Sequence, residues 1–180
     1  MKYSLSNLIR DIRDDLPTKN RGVYSFLQSY LYSASFRVLL NHRIGKYFFF
    51  SGNFVLRQLA LRYKYKLITK RGCDISYKAV LGKGIKLPHP IGIVIGEGVI
   101  IKDYVMIFQQ VTFGSHGKKG KDFEYPIIES HAKLFAGAKI IGGVTVGEYS
   151  IVGANTLVNK DVTSHSVAYG IPCKIKLMNQ

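Results

Sequence analysis

An apolar side chain returns at every sixth residue through the second half of this chain. The repeat begins at Ile128 and continues through Leu134, Ile140, Val146, Val152 and Val158. An α-helix has a period of 3.6 residues and a β-strand a period of 2, so neither produces this spacing. A six-residue period is typical of a parallel β-helix, where each repeat forms one short strand and a turn and points its apolar residue into the coil.

The same period runs earlier in the chain and is interrupted twice. It passes through Ile75, Leu81 and Leu87, shifts by two residues within segment 87–92, and resumes at Ile95, Ile101, Ile107 and Phe113. The second interruption, segment 114–126, is polar, glycine-rich and basic, so it must leave the coil as a loop. We expect a coil over residues 73–175 with an excursion loop at 114–126, and such excursions often lie at the functional face of repeat proteins.

The N-terminal 72 residues lack the six-residue period and carry most of the charge. The formal net charge of the 180 residues is +15, and residues 1–72 hold 14 basic side chains against 3 acidic ones. Apolar residues follow helical spacing between positions 23 and 48, a break is expected at 51–53, and residues 54–67 predict a second helix. A solenoid needs a cap on its first coil, so we expect residues 1–72 to form a basic helical segment with that role.

The charge of this segment also suggests a partner. Basic residues interleaved with aromatic ones suit an interfacial helix, so we expect peripheral contact with an anionic membrane in addition to capping. The longest uncharged stretch, 22–36, is too short to span a bilayer. No nucleic-acid module accompanies the charge, and no secretory signal is recognised at the start, so a cytoplasmic protein that does not bind nucleic acid is expected.

One histidine and one aspartate stand out around the two-residue shift. His89 lies between two prolines, and Asp74 precedes it by 15 residues, which places the aspartate about one coil below. A carboxylate against one imidazole nitrogen fixes the tautomer and makes the other nitrogen a better general base. On spacing alone, the alternative remains that Asp74 caps a turn and His89 is an ordinary surface residue.

Several segments of the coil resemble the serine O-acetyltransferases and related hexapeptide-repeat acetyltransferases. The matching segments are 74–75, 89–97, 109–114, 136–142 and 170–175, in the same order and spacing. The resemblance implies a mainly β protein with a left-handed parallel β-helix and a homotrimer whose sites lie between neighbouring coils. It also implies acetyl-CoA as the acyl donor, His89 as the catalytic base and Asp74 as its partner.

The resemblance further indicates where acetyl-CoA binds. Small residues beside the groove let the pantetheine chain approach the backbone, and by position these are Ala136, Gly137 and Ala154. Lys160 and Lys174 are candidates for contacts with the phosphates of CoA. No cluster of His, Cys and carboxylates has metal-ligand spacing, so no metal is expected.

The excursion loop departs from the serine enzymes, which carry Arg-His-Pro there and an Asp before the catalytic His. This chain has Glu124 and Tyr125 in place of the Arg and His, and Pro88 before His89. An anion in place of a cation repels a carboxylate, at about 1–4 kcal/mol near 4 Å. We therefore expect an acceptor without a carboxylate, a hydroxyl of a bacterial surface-polysaccharide sugar or its nucleotide- or lipid-linked precursor, contacted by Tyr125, Glu124 and His116. The alternatives are a serine O-acetyltransferase of cysteine biosynthesis and a non-catalytic scaffold or binding module.

Overall fold

The six-residue period forms the interior of a left-handed parallel β-helix. The computed structural model describes residues 3–16, 22–117 and 124–178. All thirteen apolar residues of the repeat, from Ile75 to Val158, are buried at 7% exposure or less. The predicted fold class, a mainly β coil preceded by helices, is confirmed.

Short strands stack into three sheets, which form the three faces of the coil. The first face is β1-β3-β6-β9-β12, the second is β2-β4-β7-β10, and the third is β5-β8-β11-β13 with β14 added antiparallel at its end. The bounds are β1 Asp74–Ile75, β2 Val80–Leu81, β3 Val94–Ile95, β4 Ile100–Ile101, β5 Met106–Ile107, β6 Thr112–Gly114, β7 Ile127–Ile128, β8 Lys133–Leu134, β9 Lys139–Ile141, β10 Thr145–Val146, β11 Ile151–Val152, β12 Leu157–Val158, β13 Ser166–Tyr169 and β14 Lys174–Leu177.

Three columns of turns connect these faces. The turns from the third face to the first will be called the His89 corner (88–93, 108–111, 135–138 and 153–156). Those from the first face to the second will be called the loop corner (76–79, 96–99, 114–126, 141–144 and 159–162). Those from the second face to the third will be called the ladder corner, because Tyr104, His131, Tyr149 and His165 stack there with ring centroids 4.6 to 5.2 Å apart.

The register of the strands accounts for both interruptions of the period. Val94 pairs with Thr112, an offset of 18 residues, whereas Lys86 bridges to Met106, an offset of 20. The two extra residues therefore lie between Lys86 and Val94, in the turn that carries His89. On the loop corner, the offset of 27 between Gly114 and Ile141 means that the excursion adds nine residues to an 18-residue coil; residues 118–123 of that loop lie outside the described part.

A second inward column, two positions before each repeat residue, was not predicted. It includes Ile93, Val99, Val105 and Val111 in the earlier coils and Ala132, Ala138, Ser150 and Thr156 in the later ones, each with 0% exposure. Its members are aliphatic in the earlier coils and mostly small or hydroxylated from Ala132 onward. Where a member is polar, its hydroxyl is bonded: Ser150 Oγ donates to the Thr163 carbonyl at 2.7 Å.

The described residues before the coil form four helices: α1 Leu5–Asp14, α2 Val23–Tyr32, α3 Ala34–Phe49 and α4 Phe54–Arg71. No helix is predicted before residue 23, and the helical spacing from 23 to 48 is divided at Ser33, whose side chain caps α3 by accepting from the Phe36 amide. Asn53 caps α4, and Gly72 ends it in the left-handed conformation with φ of 66°. None of the described helices is both long and apolar enough to cross a membrane.

Helices α3 and α4 close the open end of the coil in two ways. Apolar side chains of Val38, Leu39 and Leu67 join the same buried cluster as the first coil. Polar side chains donate to backbone carbonyls that have no strand below them: His42 to Ser76 at 3.1 Å, Lys46 to Ala79 at 2.7 Å, Arg43 to Leu81 at 3.0 Å and to Gly82 at 2.8 Å, and Lys64 to Ile75 at 2.8 Å. Some of the basic side chains of this segment thus donate the hydrogen bonds that the backbone carbonyls at the first edge of the β-helix would otherwise lack.

Candidate active site

His89 protrudes at the His89 corner because its turn is two residues longer than the turns stacked above it. Its side chain is exposed, and its ring centroid lies 6.4 Å from that of Phe108. The turn is tied to the coil below, since the Gly92 amide donates to the Gly72 carbonyl at 2.6 Å and the Cys73 thiol donates to the Pro90 carbonyl at 3.1 Å. These contacts fix the backbone on both sides of His89 against the segment that leads into Asp74.

Asp74 begins the first strand of the coil, one coil below Val94. Its carboxylate, 52% exposed, forms an ion pair with the ammonium group of Lys64 from α4. Within the described ranges it makes no hydrogen bond to the imidazole of His89. Asp74 and His89 therefore lie on adjacent coils at one corner, and the carboxylate is anchored through one oxygen, Oδ1, by Lys64.

The predicted acceptor residues lie on the loop corner, where both described ends of the excursion fold back onto glycines. The Tyr125 ring is half-buried against Gly96 and Gly98, in the space that a side chain at either position would need. His116 covers Gly142, and Glu124 covers the neighbouring Gly143. Both of these loop side chains are exposed.

The predicted acetyl-CoA residues divide between the corners. Ala136, Gly137 and Ala154 stack above His89 on its own corner: the Gly137 amide donates to the Gln109 carbonyl and the Asn155 amide to the Ala136 carbonyl, each at 2.9 Å. Lys160 is exposed on the loop corner, and Lys174 is exposed in β14, next to the last turn. Within one protomer, the first face of the coil separates the two corners.

Three residues of the His89 corner were missed by the sequence analysis. Phe108 and Phe135 form a stacked pair with ring centroids 4.9 Å apart, and Phe135 is 37% exposed. Gln109 follows Phe108 in the same turn, and its side-chain oxygen is buried without a partner among the described residues. The six-residue period could not reveal them, because it marks inward positions and these side chains occupy the turns.

A cavity of about 810 Å³ lies between the helical segment and the coil, next to this corner. Pro88, the residue before His89, forms part of its wall. Charged groups of both signs line it, with Lys86 on the coil side and Asp14 and Asp15 at the end of α1. Ser33, Ser35 and Tyr104 add polar groups, while Leu16, Phe36, Ile85 and Leu87 form its apolar floor.

The described residues contain no group of three or more His, Cys, Asp or Glu side chains that could hold a metal ion. A three-faced coil of six-residue repeats with a protruding histidine at a corner defines a hexapeptide-repeat transferase. The family described as "Bacterial transferase hexapeptide (six repeats)" matches residues 125–160.

Known proteins extend this similarity to the helical segment. Serine acetyltransferase of Buchnera aphidicola (from Acyrthosiphon pisum) is 34% identical over 171 residues, which covers 95% of this chain and 61% of that enzyme. Soybean serine acetyltransferase complexed with serine is 31% identical with a TM-score of 0.77, covering 95% of this chain and 68% of that one. A serine acetyltransferase in complex with CoA is 30% identical with a TM-score of 0.79, covering 96% and 71%. The chain belongs to the serine acetyltransferase family of hexapeptide-repeat acetyltransferases.

These relatives correct the predicted acceptor. The expectation of a surface-polysaccharide sugar is wrong, because the relatives that match both the helices and the coil are serine acetyltransferases. The expectation rested on Glu124 and Tyr125 in the excursion loop and on the basic charge of residues 1–72. The stated alternative, acetylation of serine, is the better supported reading.

Proposed function

We propose that this protein transfers the acetyl group of acetyl-CoA to the hydroxyl of serine. The observation that carries the proposal is the extent of the match: serine acetyltransferases align with 95% of the chain, through the helices as well as the coil. A similarity confined to the six-residue repeats would support the coil alone. The chain spans 61% of the length of the Buchnera enzyme, so the activity of the whole enzyme is carried over as a proposal.

His89 is the general base in this proposal. Its imidazole takes the proton of the serine hydroxyl while the oxygen attacks the thioester carbonyl. Collapse of the tetrahedral intermediate breaks the carbon–sulfur bond, and the leaving thiolate of CoA takes up the proton from the imidazolium. Asp74 stabilises the imidazolium and selects its tautomer, as an acid partner does in other base-catalysed acyl transfers.

Acetyl-CoA lies along the His89 corner, where small residues stack directly above the base. Ala136, Gly137 and Ala154 leave room for the pantetheine arm, and Phe108 and Phe135 add an apolar wall. Lys160 is on another corner, so a CoA molecule that reaches both needs the loop corner of a second protomer beside this His89 corner. That arrangement favours a homotrimer with shared sites, in which Lys160 and Lys174 meet the phosphates of CoA.

The cavity whose wall includes Pro88 presents an ammonium group at Lys86. His89 does not line this cavity, so the serine hydroxyl lies outside it, at the imidazole. Lys86 supplies the cation that position 124 of the excursion loop lacks. The loop residues Glu124, Tyr125 and His116 approach the acceptor from the neighbouring protomer, where they close the site rather than bind the serine carboxylate.

The direct test is release of the CoA thiol from acetyl-CoA with L-serine as the acceptor. The H89A variant is expected to lower kcat by roughly 10² or more, the contribution typical of a positioned base. H165A is the matched control, because His165 is an exposed ring at the ladder corner, outside the proposed site. Near-normal turnover by H89A would remove His89 from the mechanism. Binding of CoA without any serine-dependent thiol release by the wild type would overturn serine as the acceptor.

Two expectations about location remain part of the proposal. Use of acetyl-CoA and free serine suits a cytoplasmic enzyme. Peripheral contact with an anionic membrane stays a prediction without support from the relatives, and Arg43, Lys46 and Lys64 face the coil rather than an outer surface. Co-sedimentation with vesicles containing anionic lipid at low salt tests it, and recovery of all protein in the supernatant would contradict it.

A further inference from the structure

Lys64 of α4 joins the helical segment to the acid of the proposed catalytic pair. Its ammonium group contacts the Asp74 carboxylate and also donates to the Ile75 carbonyl at 2.8 Å. Its third partner is the Tyr77 ring, whose centre lies 5.9 Å from the ammonium nitrogen. The side chain is 28% exposed, so these contacts fix a lysine that is largely withdrawn from solvent.

A second lysine that contacts the first coil, Lys46 of α3, shows what a purely structural role looks like. Lys46 donates to the Ala79 carbonyl at 2.7 Å, just as Lys64 donates to Ile75. Within the described ranges Lys46 forms no ion pair with a carboxylate. Capping the first coil therefore explains the contact of Lys64 with Ile75, but it does not explain the contact with Asp74.

We infer that Lys64 is a positioning residue for the proposed acetyl transfer, acting through Asp74. The ammonium holds Oδ1 of the carboxylate and leaves Oδ2 available to the imidazole of His89. Because the Asp74 side chain is 52% exposed, without this anchor it rotates freely into water, and His89 loses the partner that fixes its tautomer. The inference rests on the proposed function, and it makes helix α4 part of the active site.

The first experiment compares K64M, K64R and K46M in the thiol-release assay. K64M keeps the length of the side chain but has no donor, and we expect kcat to fall about tenfold, a fraction of what a positioned base contributes. The KM for acetyl-CoA should stay within about twofold, since CoA lies on the other side of His89. K64R retains a cation and several donors and should restore kcat to within about threefold of the wild type. K46M should lower the melting temperature without this loss of kcat.

A double variant separates positioning from structural damage. If Lys64 acts through Asp74, K64M should cost nothing further in a D74N background. Multiplicative losses in the double variant, or a K64M loss matched by K46M, would overturn the inference. A low kcat for D74N together with a normal kcat for K64M would overturn the inference and leave the proposed function standing. Near-normal rates for D74N would overturn the Asp74–His89 pair itself, and the inference with it.

Discussion

Replacement of Arg43 by methionine should remove a large part of the stability of this protein. The guanidinium is 1% exposed and bonds both carboxylate oxygens of Asp15, at 3.0 and 3.3 Å, as well as the carbonyls of Leu81 and Gly82. Asp15 is equally buried, with a side chain 1% exposed. Methionine fills most of the volume but leaves the buried Asp15 carboxylate, the buried Leu81 carbonyl and the half-buried Gly82 carbonyl without their donors.

The expected loss can be estimated group by group. Breaking a buried ion pair by removal of one partner costs about 3–5 kcal/mol, and an unsatisfied buried carbonyl costs about 1–3 kcal/mol. Burial raises the pKa of the Asp15 carboxyl even with Arg43 beside it, so the orphaned carboxylate can take up a proton, which limits the total. We expect a loss of at least about 4 kcal/mol at pH 8 and a smaller one at pH 5, against a typical domain stability of about 5–15 kcal/mol.

Urea unfolding followed by circular dichroism, at one protein concentration, measures this loss. The R43M/D15L double variant removes the orphaned charge and should recover about 2–3 kcal/mol of it. The R10M variant is the control, because Arg10 is 65% exposed in its ion pair with Asp11, and it should change stability by no more than about 0.5 kcal/mol. A cost below about 1 kcal/mol for R43M, or no recovery in the double variant, would refute the reasoning.

Three further substitutions test other parts of the fold. Burial lowers the pKa of His42 well below its usual value, so below about pH 6.5 the unfolded chain binds a proton that the folded state excludes. The free energy of unfolding therefore decreases as the pH is lowered, by up to about 1.4 kcal/mol per pH unit. The H42Q variant should flatten this slope in thermal melts between pH 7 and 5. L134A empties part of the coil interior at a fully buried position and should cost about 2–5 kcal/mol in urea unfolding, whereas a loss under 1 kcal/mol would show that the coil collapses around it. N53A removes the side chain that accepts from the Val55 and Leu56 amides and should cost about 1 kcal/mol in the same assay, with an unchanged value contradicting a capping role.

The six-residue period determined the coil from the sequence alone because every repeat sends an apolar side chain from the same position into the narrow interior. A shift in that period of two residues must add two residues to one turn, and the structure places them beside His89. The second inward column was not predicted, although its earlier members Ile93, Val99 and Val111 are apolar. Only its later members, such as Ser150 and Thr156, lack an apolar signal of their own.

The sequence also identified His89 and Asp74 as neighbours on adjacent coils, since one coil takes 18 residues and the shift is visible. The partner of Asp74 was decided by tertiary structure: Lys64 belongs to a helix, and no repeat relates it to the coil. The same holds for the cavity beside Pro88, where Lys86 comes from the coil and Asp14 from α1. The acceptor was predicted wrongly because the inference gave most weight to the excursion loop, whereas the relatives that match the helices as well as the coil are serine acetyltransferases.

The sequence by itself determined the coil, its interruptions and the basic character of the helical segment. Only the tertiary structure decided what that basic charge does. A cation is drawn inward where carbonyls at the first edge of the coil lack donors, and which carbonyls these are depends on how α3 and α4 pack across that edge. Arg43, Lys46 and Lys64 therefore serve the coil, a role that the spacing of charges along the chain does not encode.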